Sequence, residues 1–128
     1  MSMSISAHHI SFPVSDLDRS RKFYEGVLDL KEIPRADFGD VGGVWYQAGP
    51  CEVHLIAMSN DPNLGTPPPV IHPGARHVGF AVDSFDATVA HLTEHGVEVF
   101  AVADNGQIWC QDPDGHVIEF IQPGVLTV

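Results

Sequence analysis

Polar and apolar residues alternate along His9–Val14, with Ile10, Phe12 and Val14 on one face and His9, Ser11 and Pro13 on the other. A period of two marks a strand with one buried face. Pro13 lacks a backbone donor and points to an edge or to the end of pairing. Asp16 or Ser15 then caps a predicted helix through about Glu25, with Leu17, Phe23, Tyr24, Val27 and Leu28 as its apolar stripe and Gly26 at its end. Short strands are predicted over residues 30–34, 43–48 and 52–58, separated by turns rich in Asp and Gly and by Gly49-Pro50. In the last of them Val53, Leu55 and Ala57 face one way, and Glu52, His54, Ile56 and Met58 the other.

The same order then recurs. Residues 77–82 form an alternating strand, Asp83 or Ser84 caps a helix to about His95 with Phe85, Val89 and Leu92 inward, and Gly96 follows it. Strands follow near residues 97–102, 108–111 and 116–121, the last after the turn Asp112-Pro113-Asp114-Gly115. The chain therefore reads as α+β, one domain of two βαβββ modules: a first over about residues 7–59, a stiff extended linker over 60–73 with Pro67-Pro68-Pro69, and a second over 74–124. Residues 1–7 read as a frayed end.

The repeat singles out four residues. His9-Ile10-Ser11-Phe12-Pro13-Val14 matches His77-Val78-Gly79-Phe80-Ala81-Val82 at an offset of 68, and Cys51-Glu52-Val53-His54-Leu55-Ile56 matches His116-Val117-Ile118-Glu119-Phe120-Ile121 with His54 against Glu119 at an offset of 65. Two unlike halves thus place His9, His54, His77 and Glu119 at equivalent points on the faces opposite the helices. Nitrogen and oxygen donors of this kind suit a divalent ion: Zn, Ni, Co, Mn or Fe. A lone strand histidine is more often an ordinary packed or surface group, and a strand-end carboxylate is often only solvated. Recurrence in register favours metal ligands, and Ile118 and Phe120 place Glu119 on a buried strand where it can also take a proton. His8, His72, His91, His95 and His116 read as ordinary polar residues. Trp45, Tyr46, Trp109 and Met58 line either the cleft or the core, and Gln47 and Gln111 are weaker candidates for polar groups at the cleft.

Composition narrows the partners. At 128 residues and 44% hydrophobic content the chain can bury a real core. A formal net charge of −11 argues against nucleic acid and anionic membranes. Cys51 and Cys110, in strand-like runs, read as buried thiols rather than a disulfide framework. With no basic-then-apolar leader and no apolar stretch near the roughly 20 residues of a spanning helix, the expectation is a cytoplasmic protein.

With these motifs the chain resembles the vicinal oxygen chelate superfamily, also called the glyoxalase/bleomycin resistance/dioxygenase superfamily. Besides the two strand pairs, the resemblance rests on Asp18-Arg19-Ser20, Phe23-Tyr24, Val27-Leu28 and Asp112-Pro113-Asp114-Gly115, and it spans nearly everything from His8 to Pro123. It implies paired βαβββ modules with a curled mixed sheet around a metal cleft, a homodimer whose site can draw on both chains, and metal positions at His9, His54, His77 and Glu119. It further implies an enzyme acting on a small oxygenated substrate: a glyoxalase-like lyase or isomerase in which the metal binds two substrate oxygens and stabilises an enediolate-type anion, with Glu119 as ligand and base. Glyoxalase I usually carries a carboxylate where His54 stands, and its bacterial form an arginine at Pro13 and an asparagine at Met58. Methylmalonyl-CoA epimerases, with a neutral ligand at the His54 position, are similar in that respect. Extradiol dioxygenases use Fe(II) on two His and one Glu, matching His9, His77 and Glu119, and give the first alternative. A drug-sequestering bleomycin-resistance-type protein is the second.

Overall fold

The computed structural model describes residues 3–58 and 61–125, and the chain divides into two compact units, Met1–Leu64 and Gly65–Val128. Met1 and Ser2 of the expected frayed end and Asn60 of the expected linker lie outside the described residues.

In the first unit, β1 (His9–Val14) leads into α1 (Leu17–Arg21), followed by β2 (Lys31–Ile33), β3 (Gly43–Ala48) and β4 (Cys51–Ala57). The sheet order is β1-β4-β3-β2, with β1 parallel to β4 and the remaining pairs antiparallel. Pro13 accordingly sits on an edge strand. Its register puts Ile10 against Val53, Phe12 against Leu55 and Val44 against Leu55, so one face of the sheet is apolar throughout. Val14, Val44, Tyr46, Val53 and Leu55 on that face are at most 1% exposed, and α1 packs over β4.

Asp16, not Ser15, caps α1: its carboxylate accepts from the Arg19 N–H at 3.0 Å. The helix then widens to a π-helical turn over Lys22–Val27. Gly26, expected at the helix end, therefore lies inside it, and Asp29 takes the left-handed conformation (φ 57°) that terminates the segment. The wider turn seats Phe23 and Tyr24 in the core. It also aims Glu25 at the buried Tyr46 hydroxyl, which donates to it at 2.5 Å.

The second unit repeats the plan with β5 (His77–Ala81), α2 (Phe85–Glu94), β6 (Phe100–Val102), β7 (Gln107–Gln111) and β8 (Val117–Ile121), in sheet order β5-β8-β7-β6 with β5 parallel to β8. Val78, Ile108, Cys110, Ile118 and Phe120 form its buried face, and Leu92 of α2 is 1% exposed. Ser84 caps α2 through its hydroxyl, and Gly96, at φ 75°, occupies the left-handed position after the helix. Strand β6 starts at Phe100, three residues later than the sequence pattern suggests, because the Val97 N–H closes on the Leu92 carbonyl at 2.9 Å after the helix stop and residues 97–99 join no strand. The Pro67-Pro68-Pro69 run is tied to its sheet: the Gln111 side chain donates to the Pro68 carbonyl at 2.8 Å and to the Gly115 carbonyl at 3.1 Å. Among the described residues no helix is long and apolar enough to cross a membrane.

Candidate metal centre

The faces away from the helices carry the polar residues, and strand register fixes which of them meet. In the first unit His9 lies opposite Glu52, Ser11 opposite His54, and Trp45 opposite His54. In the second, His77 lies opposite Val117, Gly79 opposite Glu119, and Trp109 opposite Glu119. The pairings are equivalent position for position, so each unit carries one tryptophan and two of the four candidate ligands at the same points of its sheet.

His77 and Glu119 come together. The His77 Nε2 stands 3.3 Å from the Glu119 Oε1, with the carboxylate side chain 11% exposed. The ring's other nitrogen, Nδ1, lies 2.7 Å from the Ala75 carbonyl. Since a carbonyl only accepts, Nδ1 donates to Ala75, and Nε2 is the ring nitrogen that faces the Glu119 carboxylate. Gln107 donates to the second carboxylate oxygen at 3.2 Å, and the Trp109 ring meets the imidazole edge to face at 4.7 Å. Two donors each ~2.1 Å from one ion and 3.3 Å apart subtend an angle of about 104°, close to tetrahedral and within reach of octahedral coordination. A backbone carbonyl on the far nitrogen is the usual outer partner of a metal-bound histidine. The chemistry of this pair fits a divalent ion.

His9 and His54 also come together, but in a different manner. Their rings stack at 4.1 Å and 14°, and Trp45 covers the other face of His54 at 4.0 Å and 4°. The sandwiched ring is 7% exposed, and its Nε2 lies 2.9 Å from the Glu52 Oε1. Stacked imidazoles direct their in-plane lone pairs along parallel lines, so these two rings, as placed, do not aim at one point. His54 meets an ion only by exchanging its contact with Glu52. His9 approaches His8 through Nδ1 at 2.9 Å, and His8 lies 3.9 Å from Glu52. Among the described residues, no group of three or more His, Cys, Asp and Glu side chains is arranged to hold a metal ion.

Glu52 and His8, which sequence reading passed over, therefore belong to the polar cluster around His54. Alternation had placed Glu52 on the same face as His54, and that was the available signal. The bond from His54, with smaller contributions from the neighbouring His8 and His9, holds the Glu52 carboxyl below the usual carboxylate range. Gln107, not Gln47 or Gln111, reaches a candidate ligand. Tyr46 belongs to the core, and Met58 is 38% exposed. Cys110 is buried as expected, while Cys51 is only partly so.

Residues 6–120 match the family model described as the Glyoxalase/Bleomycin resistance protein/Dioxygenase superfamily. A metallothiol transferase FosB of Staphylococcus epidermidis is 31% identical over 89% of this chain and 79% of its own. The protein named Glyoxylase I 4 of Arabidopsis thaliana is 28% identical over 96% of this chain and 74% of its own. Among solved structures, the antibiotic binding protein TnmS3 of Streptomyces sp. CB03234 superposes with a TM-score of 0.71 at 26% identity, covering 96% of this chain and all of TnmS3. The sheet order, the paired polar faces and the family match agree, and the chain belongs to the glyoxalase/bleomycin resistance protein/dioxygenase superfamily.

Proposed function

We propose that the protein is a metal-dependent enzyme of this superfamily, a glyoxalase-like lyase or isomerase acting on a small oxygenated substrate. His77 and Glu119, together with His9 and His54, are its donors to one divalent ion (Zn, Ni, Co, Mn or Fe), contributed by one chain or by the two chains of a homodimer. The observation that carries the reading is the His77–Glu119 pair: a ring nitrogen, Nε2, held in place from behind by the Ala75 carbonyl, and a carboxylate 3.3 Å away.

Bound there, a divalent ion supplies Lewis-acid polarisation of substrate oxygens. The chain supplies the rest. Ala75 fixes the tautomer of His77, and Gln107 holds one Glu119 oxygen so that the other keeps its direction. Glu119, flanked by Ile118 and Phe120 at 0% and 5% exposure, is the carboxylate placed to take a proton from carbon beside a polarised carbonyl and to return it. The Trp109 ring packs edge to face against the His77 imidazole and restrains its orientation. The relatives named for glyoxylase and metallothiol transfer support an enzyme.

A second reading is favoured by one feature of the first unit. Phe38, 51% exposed, stands 6.1 Å from Trp45, which itself stacks on His54. Such an exposed aromatic wall suits retention of a flat molecule without turnover, and TnmS3 is an antibiotic binding protein. Metal analysis after dialysis against a weak chelator separates the readings. The expected result is tightly held metal in the wild type and in His72→Ala, and its loss in His77→Ala. Equal metal content in the two variants would remove the proposed ligand set, and absence of tight metal after reconstitution would leave the binding reading in its place.

A further inference from the structure

Away from the candidate centre, helix α2 brings two histidines into contact. His91 and His95 are four residues apart, so they lie one above the other on the same helix face. Their rings stand 4.3 Å apart, centroid to centroid, at 41°. Both residues are exposed. The His95 Nδ1 lies 2.8 Å from the His91 carbonyl, to which it donates, so Nε2 is the ring nitrogen left to serve as a ligand.

We propose that His91 and His95 form a second transition-metal site, a two-histidine chelate for a borderline divalent ion such as Zn, Ni or Cu, independent of the centre proposed above. Three observations support it. Rings bound through nitrogen have their centroids ~3.2 Å from the ion, so two cis rings stand about 4.5 Å apart, close to the 4.3 Å found before any ion enters. The His95 ring is already oriented by a backbone carbonyl, as metal-bound histidines are. Lastly, the pair closes the C-terminal turn of α2, with His95 as the C-cap residue, where the partial negative charge of the helix end favours a cation. A chain of net charge −11 adds to that field. The ion takes two nitrogens from the helix, and water or a donor from another molecule completes its coordination.

The test is a Zn2+ titration of metal-free, full-length protein by equilibrium dialysis, comparing wild type, His77→Ala and the double variant His91→Gln/His95→Gln. Both replaced histidines are exposed, and an unchanged circular dichroism melt confirms folding. The expected wild-type isotherm has a weaker second phase that survives in His77→Ala and vanishes in the double variant. Either single His→Gln change, which reduces the chelate to one arm, weakens that phase roughly 100-fold or more. A weaker phase of unchanged affinity and stoichiometry in the double variant, or no second phase in the wild type, overturns the site. Neither result touches the tight phase assigned to His77 and Glu119, whose loss in His77→Ala is read from the same isotherms.

Discussion

Replacing Tyr46 by Phe removes one oxygen from the core of the first unit and should cost measurable stability. Tyr46 is 0% exposed, and its hydroxyl donates at 2.5 Å to a Glu25 oxygen that also accepts from Arg21 at 2.8 Å; Arg21 reaches on to Glu32 at 3.0 Å. A hydrogen bond to a charged group contributes about 1.5–3 kcal/mol. The Glu25 side chain is 37% exposed, so water replaces part of what is lost. We therefore expect a loss of about 1–2 kcal/mol, which for a chain of this length lowers the melting temperature by about 3–10 °C. Thermal and urea unfolding at pH 7 measure it, and the double variant with Glu25→Gln isolates the pair. The reasoning fails if Tyr46→Phe melts with the wild type, or if its cost is the same with Glu25 already neutralised.

Three further outcomes follow from side chains of the second unit and from the thiols. Burial, reinforced by the Asp112 carboxylate, pushes the Cys110 thiol up to about 12, whereas Cys51 is partly exposed. A thiol reagent at pH 8 should thus modify Cys51 alone in the native protein and both cysteines in denaturant. The raised native value means that the folded state holds the Cys110 proton after the unfolded chain has released it near pH 9. Its contribution is then complete below pH 9 and lost toward pH 12 at ~1.4 kcal/mol per pH unit; Cys110→Ala should flatten that decline, and an unchanged alkaline slope would count against it. Gln111→Ala frees the Pro68 carbonyl; we expect a loss of about 0.5–1.5 kcal/mol and faster protease cleavage within residues 66–73, and digestion at the wild-type rate would show that the proline run needs no anchor.

The repeat was legible because the two structures it encodes are held by one rule. Burying one face of each sheet fixes register to the residue, so the offsets of 68 and 65 that align His9 with His77 and His54 with Glu119 reappear as equivalent strand pairings. Caps and stops were legible where a single residue type does the work, as at Asp16, Ser84 and Gly96. The π-helical turn was not. Gly26 gives a strong local stop signal, but Phe23 and Tyr24 gain more by reaching the core and Glu25 by meeting Tyr46, contacts that only the folded sheet supplies.

What alternation could not show is why equivalent positions behave unlike each other, and the difference traces to one residue. Glu52 and Val117 occupy the same register point, each opposite the histidine of the neighbouring parallel strand. Valine offers no acceptor, so Glu119, two residues on, meets His77 directly. Glutamate does offer one, and it takes the Nε2 of His54 for itself while Trp45 and His9 close over the ring. Strand register thus decides which residues can be ligands, but the side chain two positions earlier decides which are free to act as one. The first unit holds its histidines stacked, with His54 bound to a carboxylate, and the second sets its histidine beside its own carboxylate without such a stack. If His54 ligates metal, as proposed, the exchange of its contact with Glu52 for the ion is the local change that binding must bring about.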